Sequence, residues 1–217
     1  MNLKQHGVGK RFLTATLDSV STEHFAEVHE YAHNGPALLK TGRGLLLSGN
    51  PGIGKTWALV GLMQFLFEQM GASTNRWDFH VVTAPVLFDL YAPDARTPLE
   101  DDFRNQTWKT TFETVSALVI NDLGKEDRSR DWLHEAVTYK LGRVLRARHE
   151  AELPVFITTN LALQEDEDHA RRGVNVPTVR SVYGESIWSL LFDLTQYRVQ
   201  TVAPDQRPLR TGGESTL

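Results

Sequence analysis

The stretch from Gly44 to Thr56 constrains the fold of this chain more than any other. Its last eight residues, GNPGIGKT, fit the pattern G-x-x-x-x-G-K-[ST], in which glycines let the backbone approach phosphate oxygens closely. The apolar run Leu45–Leu47 precedes them and suits a buried parallel strand. The stretch from Ala58 to Gln69 follows, and it carries apolar residues at helical spacing. A strand, a glycine-rich turn and a helix in this order predict a nucleoside triphosphate site.

The residue types of this turn fit the chemistry of phosphate binding. Freed backbone amides and the N-terminus of the following helix offer partial positive charge to the phosphates. Lys55 reaches the β- and γ-phosphates as a point charge, and the Thr56 hydroxyl is a ligand for Mg²⁺. The candidate nucleotide-binding residues here are Gly49, Asn50, Pro51, Gly52, Ile53, Gly54, Lys55, Thr56 and Trp57.

Length and composition limit the classes of protein to which this chain can belong. At 217 residues the chain is long enough for one α/β domain with a full core. The formal net charge of -4 argues against a broadly basic nucleic-acid surface, though not against a local basic patch. The absence of cysteine excludes disulfides and cysteine-based metal sites, and suits a cytoplasmic location. No apolar run approaches membrane-spanning length, so we expect no membrane segment.

Strands that alternate with helices predict a mostly parallel, doubly wound α/β sheet. After the first strand, the apolar runs predict strands at Phe79–Thr83, Ala117–Ile120, Val155–Asn160 and Tyr197–Val202. The predicted helices begin near Ser21 (ending at Asn34-Gly35-Pro36), at Pro85, at Asp131 (ending at His149) and near Ser186. We expect an extended N-terminal arm at 1–16, a core at 17–207 and a flexible tail at 208–217.

A P-loop ATPase needs a carboxylate at the end of a neighbouring strand to hold Mg²⁺. The sequence Ile120-Asn121-Asp122 is the best candidate, because four apolar residues run straight into polar ones. Asn121 and Asp122 therefore join Thr56 as candidate metal ligands. Asn160 ends the next predicted strand, where it is placed to touch the γ-phosphate or to orient the attacking water.

With these motifs in view, the chain resembles the bacterial helicase-loader ATPases of the DnaC type and the related IstB-like transposition ATPases. The likeness runs from about Gly7 to Arg207. It rests on an ordered set of pieces: Gly7–Phe12, similar to G-I-P-x-R-F; Gly44–Thr56; Ile120–Gly124, similar to I-D-[DE]-[LI]-G; Arg148 late in a helix; and Thr158–Leu161, similar to the sensor-1 strand.

This resemblance implies a P-loop NTPase with an AAA+ core, whose parallel five-stranded sheet has the order 5-1-4-3-2. It also implies ATP and Mg²⁺ as cofactors, ATP bound between subunits of a self-associated oligomer, and action on single-stranded DNA or a helicase. By position, Val8 and Phe12 lie near the adenine, and Arg148 faces a neighbouring subunit's nucleotide. The implied catalytic residues are Lys55, Asp122, Asn160 and Arg148.

Three departures from the family pattern bear on catalysis and on domain content. Asn121 stands where the family has the Walker B Asp, and an amide lacks the negative charge that favours Mg²⁺. Ser186 and Leu190 stand where the family usually carries arginines, one of them a trans finger worth about 10³–10⁵ in rate. Arg148 and Arg180 are the candidate replacements. The short stretches before the P-loop and after the last strand predict no separate helicase-binding domain and a helical lid that is reduced or absent.

Three functions are compatible with these observations. The first is a helicase-loader-like ATPase that assembles on single-stranded DNA, engages a replicative helicase and hydrolyses ATP slowly. The second is an IstB-like ATPase that regulates a transposase, and the third is an ATP-dependent assembly module that does not hydrolyse. Candidate DNA contacts are Arg104, Trp108 and Lys109, which combine charge with an aromatic surface for base stacking. The alternative for this stretch is an exposed helix that packs Trp108 against the core.

Overall fold

The structure, a computed structural model, describes residues 2–71, 77–89, 109–126, 131–163 and 176–205. Within these ranges one parallel sheet has the strand order β2-β3-β4-β1-β5. Read from the other edge, this is 5-1-4-3-2, so the predicted fold class is confirmed. The strands are β1 Gly44–Gly49, β2 Phe79–Thr83, β3 Ala117–Leu123, β4 Val155–Thr159 and β5 Thr195–Thr201.

Helices cover both faces of this sheet. They are α1 Ala26–Lys40, α2 Lys55–Gly71, α3 Ala84–Asp89, α4 Asp131–Glu150 and α5 Val179–Leu194. Successive side chains of a strand point to opposite faces. Accordingly Leu45 and Leu47 pack with α1 and α2, whereas Leu46 packs with α4 and α5. All three leucines are completely buried, as a strand at the centre of a doubly wound sheet requires.

The N-terminal segment is not extended, so that expectation is wrong. It forms 3₁₀ turns at Leu3–His6 and Lys10–Phe12 and packs along the edge strand β2. The His6 ring stacks on Phe79, and its Nδ1 lies 2.8 Å from the carbonyl oxygen of Phe79. Leu3, at 9% exposure, is buried against the core. Burial of apolar side chains and cover for an exposed strand edge explain why this segment folds back.

The predicted end of α1 at residues 34–36 is also wrong. The helix continues to Lys40 with Pro36 inside it, although Pro36 cannot donate to the preceding turn. Packing against α2 explains the continuation. A Cβ added to Gly35 would lie 2.4 Å from Cδ2 of Leu66, so glycine lets the two helices approach closely. Tertiary packing here overrides two local helix-breaking signals.

The other elements lie close to their predicted positions. β2 has the predicted bounds, and α4 ends one residue beyond them at Glu150. α5 begins earlier than predicted because Thr178 caps its N-terminus, its hydroxyl accepting from the Ser181 amide. Arg104, Trp108 and the 208–217 tail lie outside the described residues, and Lys109 begins a short π-helical turn. No helix in the described ranges combines the length and the apolar character needed to cross a membrane.

Candidate nucleotide-binding site

The glycine-rich loop that joins β1 to α2 has the backbone geometry expected of a phosphate cradle. Gly52 and Gly54 have φ angles of 86° and 97°, which side chains rarely adopt. The loop leads directly into α2, which begins at Lys55. Backbone amides and a helix N-terminus therefore face the same space, and this arrangement suits an anion.

Lys55 is buried at this loop and is held by three acceptors. Its Nζ donates to the carbonyl oxygens of Gly49 at 2.7 Å and Asn50 at 2.8 Å, and to Oδ1 of Asn160 at 2.9 Å. Burial lowers the pKa of Lys55 to about 8, Asp122 raises the pKa and Lys125 lowers it further. β1 and β4 thus bring the predicted Lys55 and Asn160 into direct contact.

Asn121 lies beside Thr56, at the position predicted for a metal-binding carboxylate. The Thr56 hydroxyl donates to Oδ1 of Asn121 at 2.5 Å, and the Thr158 hydroxyl donates to the same oxygen at 2.8 Å. Two donors already occupy that oxygen, and an amide carries no negative charge. Among the described residues, no three His, Asp or Glu side chains form a metal-binding group. These residues therefore do not fit the Mg²⁺ site of a P-loop ATPase well.

Asp122 points to a different partner. Its backbone is in the left-handed region (φ 60°), and its Oδ2 lies 3.0 Å from Nζ of Lys125. The Lys125 amide donates to the Asp122 carbonyl at 3.1 Å, which closes the turn after β3. The sequence analysis did not identify Lys125. Its position three residues beyond Asp122 was the one indication that the two side chains could pair.

A cavity of about 530 Å³ opens next to the loop. It is lined by loop residues from Pro51 to Trp57 and by Asp122, Lys125 and Asn160. A second set of lining residues comes from the N-terminal segment and was predicted only at Phe12: Arg11, Phe12, Ser19, Val20, Ser21, His24 and Phe25. Trp57 Nε1 donates to the Ser19 hydroxyl at 2.7 Å, which ties this segment to α2. Val8 is not among the lining residues and is buried in the core at 4% exposure.

Known proteins resemble this chain in sequence and in fold. No protein-family model matches the chain. The replicative helicase loader DnaI of Bacillus subtilis (strain 168) is 27% identical over 131 residues, 59% of this chain and 36% of DnaI. The chain resembles the DnaC-type helicase loaders. The crystal structure of the DnaC helicase loader superposes with a TM-score of 0.64 at 23% identity, over 90% of this chain and 100% of that one.

A more distant neighbour shares the fold. The replication initiator DnaA, in a structure bound to AMPPCP and single-stranded DNA, has a TM-score of 0.56 at 14% identity, over 88% of this chain and 51% of that one. At these identities the structural likeness to DnaC and DnaA shows the fold alone. The chain spans about a third of the length of DnaI, so a loader's activity and partners remain proposals for it.

Arg148 does not face a neighbouring subunit, and that expectation is wrong. Its side chain is completely buried. It donates to the carbonyl oxygens of Phe112 at 3.0 Å, Val115 at 2.9 Å and Pro154 at 2.9 Å. Val115 and Pro154 lie just before β3 and β4, at the end of the sheet opposite the P-loop. Arg148 therefore joins the starts of two strands, and burial lowers its pKa to about 9.

Arg180 remains a candidate for contact with a second subunit. It lies in the first turn of α5, its side chain is 63% exposed, and it pairs with Glu185. Ser186 is exposed on the same helix, and Leu190 is partly buried against the core. An exposed ion pair contributes little stability, so Arg180 is able to exchange Glu185 for another anion at small cost.

Proposed function

We propose that this protein is an ATP-binding AAA+ protein of helicase-loader type, which assembles on single-stranded DNA and engages a replicative helicase. The observation that carries the proposal is the convergence of the P-loop, Lys55 and Asn160 beside one cavity. Sequence similarity to DnaI, a replicative helicase loader, supports the choice of partner.

In this proposal the ATP phosphates occupy the loop between Gly49 and Thr56. Lys55 leaves the two loop carbonyls and donates to the phosphates, which are stronger acceptors because they are charged. Asn160 then keeps contact with the Lys55 ammonium or with the γ-phosphate. The adenine lies between Phe12 and the P-loop helix, in the part of the cavity lined by the N-terminal segment.

Hydrolysis is proposed to be slow for two physical reasons. Asn121 gives Mg²⁺ no negative charge, and its amide oxygen already accepts two hydrogen bonds. Ser186 and Leu190 provide no arginine for a neighbouring active site, which leaves Arg180 as the candidate. If turnover proves absent, the same geometry supports an assembly module that uses ATP as a structural switch.

Self-association and DNA binding are the further parts of the proposal. ATP at a subunit boundary, with Arg180 of the next subunit near its phosphates, would promote oligomer formation. DnaA, which shares the fold, has a solved structure bound to AMPPCP and single-stranded DNA. Arg104, Trp108 and Lys109 are the proposed DNA contacts in this chain, and a chain with net charge -4 is expected to bind DNA in a strongly salt-dependent manner.

The proposal is tested by analytical ultracentrifugation of the wild type and a Lys55→Ala variant. Each is run alone, with ATP, with ATP and oligo-dT, and with ATP and the replicative helicase from the same genome. We expect wild-type protein to form ATP-dependent complexes with DNA and with helicase, and Lys55→Ala to remain free. A wild type that stays monomeric and free of both partners at saturating ATP contradicts the loader function.

A further inference from the structure

The nucleotide cavity carries a second lysine in addition to Lys55. Lys125 lines the same cavity, and its side chain is 49% exposed. It is placed there by the turn that follows β3, where Asp122 is left-handed and the Lys125 amide closes the turn. The two ammonium groups are close enough for Lys125 to lower the pKa of Lys55.

The candidate metal ligands Thr56, Asn121 and Asp122 offer a divalent cation little negative charge. Oδ1 of Asn121 accepts from Thr56 and Thr158, and an amide oxygen has two lone pairs. The Thr56 hydroxyl donates its proton to Asn121 and keeps lone pairs for a cation, but it carries no negative charge. The Asp122 carboxylate, which lines the cavity, is paired with Lys125 at 3.0 Å. Among the described residues that line the cavity, Asp122 is the one carboxylate, whereas Arg11, Lys55 and Lys125 offer positive charge to phosphate.

Lys125 is able to contact a phosphate without leaving Asp122. An ammonium has three N–H donors, and the contact with Asp122 uses one of them. The Lys125 side chain is half exposed and solvent screens the pair, so a shift of the ammonium toward a phosphate costs little. In such an arrangement Lys125 also neutralises Asp122, whose carboxylate would otherwise repel the phosphates.

We propose that Lys125 is a phosphate-binding residue that supplies, on the protein itself, part of the positive charge that a carboxylate-held Mg²⁺ supplies in other P-loop ATPases. Nucleotide binding by this protein is accordingly only weakly dependent on Mg²⁺. The inference rests on the proposed function, because it assigns a residue and a metal dependence to the same ATP site.

The test measures the dissociation constant of a fluorescent ATP analogue in EDTA and in excess Mg²⁺. The variants are Lys125→Gln, Lys125→Arg, Asn121→Asp and Lys40→Gln. Lys40 is an exposed lysine at the end of α1, near the start of β1 and thus at the end of the strand opposite the P-loop, and it serves as the matched control. Circular dichroism spectra establish that each variant is folded.

We expect the wild type to bind with similar affinity in both buffers. Lys125→Gln should weaken binding in EDTA by about tenfold or more, because a charge-assisted hydrogen bond is lost. Lys125→Arg should retain binding, Lys40→Gln should resemble the wild type, and Asn121→Asp should make binding Mg²⁺-dependent.

Two results contradict the inference while leaving ATP binding intact. One is wild-type binding that is lost in EDTA, and the other is a folded Lys125→Gln variant with wild-type affinity in EDTA. Absence of wild-type binding in both buffers is a different result, which overturns the proposed function and the inference together.

Discussion

The hydroxyl oxygen of Thr56 lies 2.5 Å from the amide oxygen of Asn121. This contact joins the first residues of α2 to the end of β3, and it places a neutral amide where a P-loop ATPase needs a carboxylate beside Mg²⁺. A site arranged in this way holds a nucleotide better than it hydrolyses one. We expect wild-type turnover below about 1 s⁻¹, the low end of the ordinary enzyme range.

A carboxylate at position 121 should therefore raise the rate of ATP hydrolysis. We expect Asn121→Asp to raise steady-state phosphate release by about tenfold or more, because a bound divalent cation stabilises the charge that develops on the phosphates. Asn34→Asp, an exposed position on α1, is the matched control and should leave the rate unchanged. Equal rates for Asn121→Asp and the wild type would show that Asn121 does not limit catalysis.

ATP affinity should depend on pH through Lys55. Burial lowers the pKa of Lys55 to about 8, and phosphates bind its charged form. At pH 7 most Lys55 side chains are charged before ATP binds, so affinity should fall by only about twofold between pH 7 and 8. Above pH 8 a proton must be taken up on binding, and the dissociation constant should rise by up to about tenfold per pH unit.

The Lys55→Arg variant is the control for this profile, because a guanidinium remains charged throughout the range. Titrations of both proteins with a fluorescent ATP analogue from pH 7 to 9.5 make the comparison. The same slope in wild type and Lys55→Arg would assign the pH dependence to another group.

Arg148 should matter for stability and not for catalysis in a neighbouring subunit. We expect Arg148→Met to lower the free energy of unfolding by about 3–5 kcal/mol, because three buried carbonyl groups lose their donor. Arg146→Met, at an exposed position of the same helix, should cost about 0.5 kcal/mol or less. Urea unfolding measures both. A stable Arg148→Met protein with impaired ATP turnover would restore the role that its burial excludes.

A carboxylate beside the phosphate loop should oppose nucleotide binding. A Cβ added to Gly52 would lie 2.0 Å from an oxygen of Asp205, so this carboxylate lies against the loop. We expect Asp205→Asn to tighten ATP binding by about fivefold, the effect of removing one like charge at a few ångströms in a polar environment. Asp193→Asn, exposed near the end of α5, should leave affinity unchanged. Weaker binding by Asp205→Asn would indicate that Asp205 supports the loop.

The sequence predicts the sheet and the phosphate loop well because both depend on local signals. Four-residue apolar runs such as Ala117–Ile120 are short enough to favour buried strands over helices. The polar residues Asn121 and Asp122 follow this run and predict where the strand ends beside Thr56. In the structure Asn121 accepts a hydrogen bond from Thr56. Strand ends and glycine positions are properties of a few adjacent residues.

The sequence predictions fail where contacts between distant parts of the chain determine the position of a residue or the end of a helix. Arg148 donates to carbonyl groups that lie just before β3 and β4. Its position late in a helix does not reveal these contacts, because the residues before β3 are distant from it in the sequence. Proline disfavours the interior of an isolated helix, but α1 continues past Pro36 because Gly35 packs closely on Leu66 of α2. Lys125 enters the cavity through a left-handed turn at Asp122, a conformation that an Asp-Leu-Gly sequence does not specify.

ATP binding through Lys55 is the central claim, and titration of a fluorescent ATP analogue into a folded Lys55→Ala variant tests it most directly. Lys55 donates to Gly49, Asn50 and Asn160, and in the proposed site it exchanges its contacts with the loop carbonyls for the phosphates. Lys40→Ala serves as the control for removal of a lysine elsewhere. The account predicts at least about tenfold weaker binding by Lys55→Ala, because a charge-assisted hydrogen bond to phosphate is lost, and no change in Lys40→Ala. Wild-type affinity in the folded Lys55→Ala protein would contradict it.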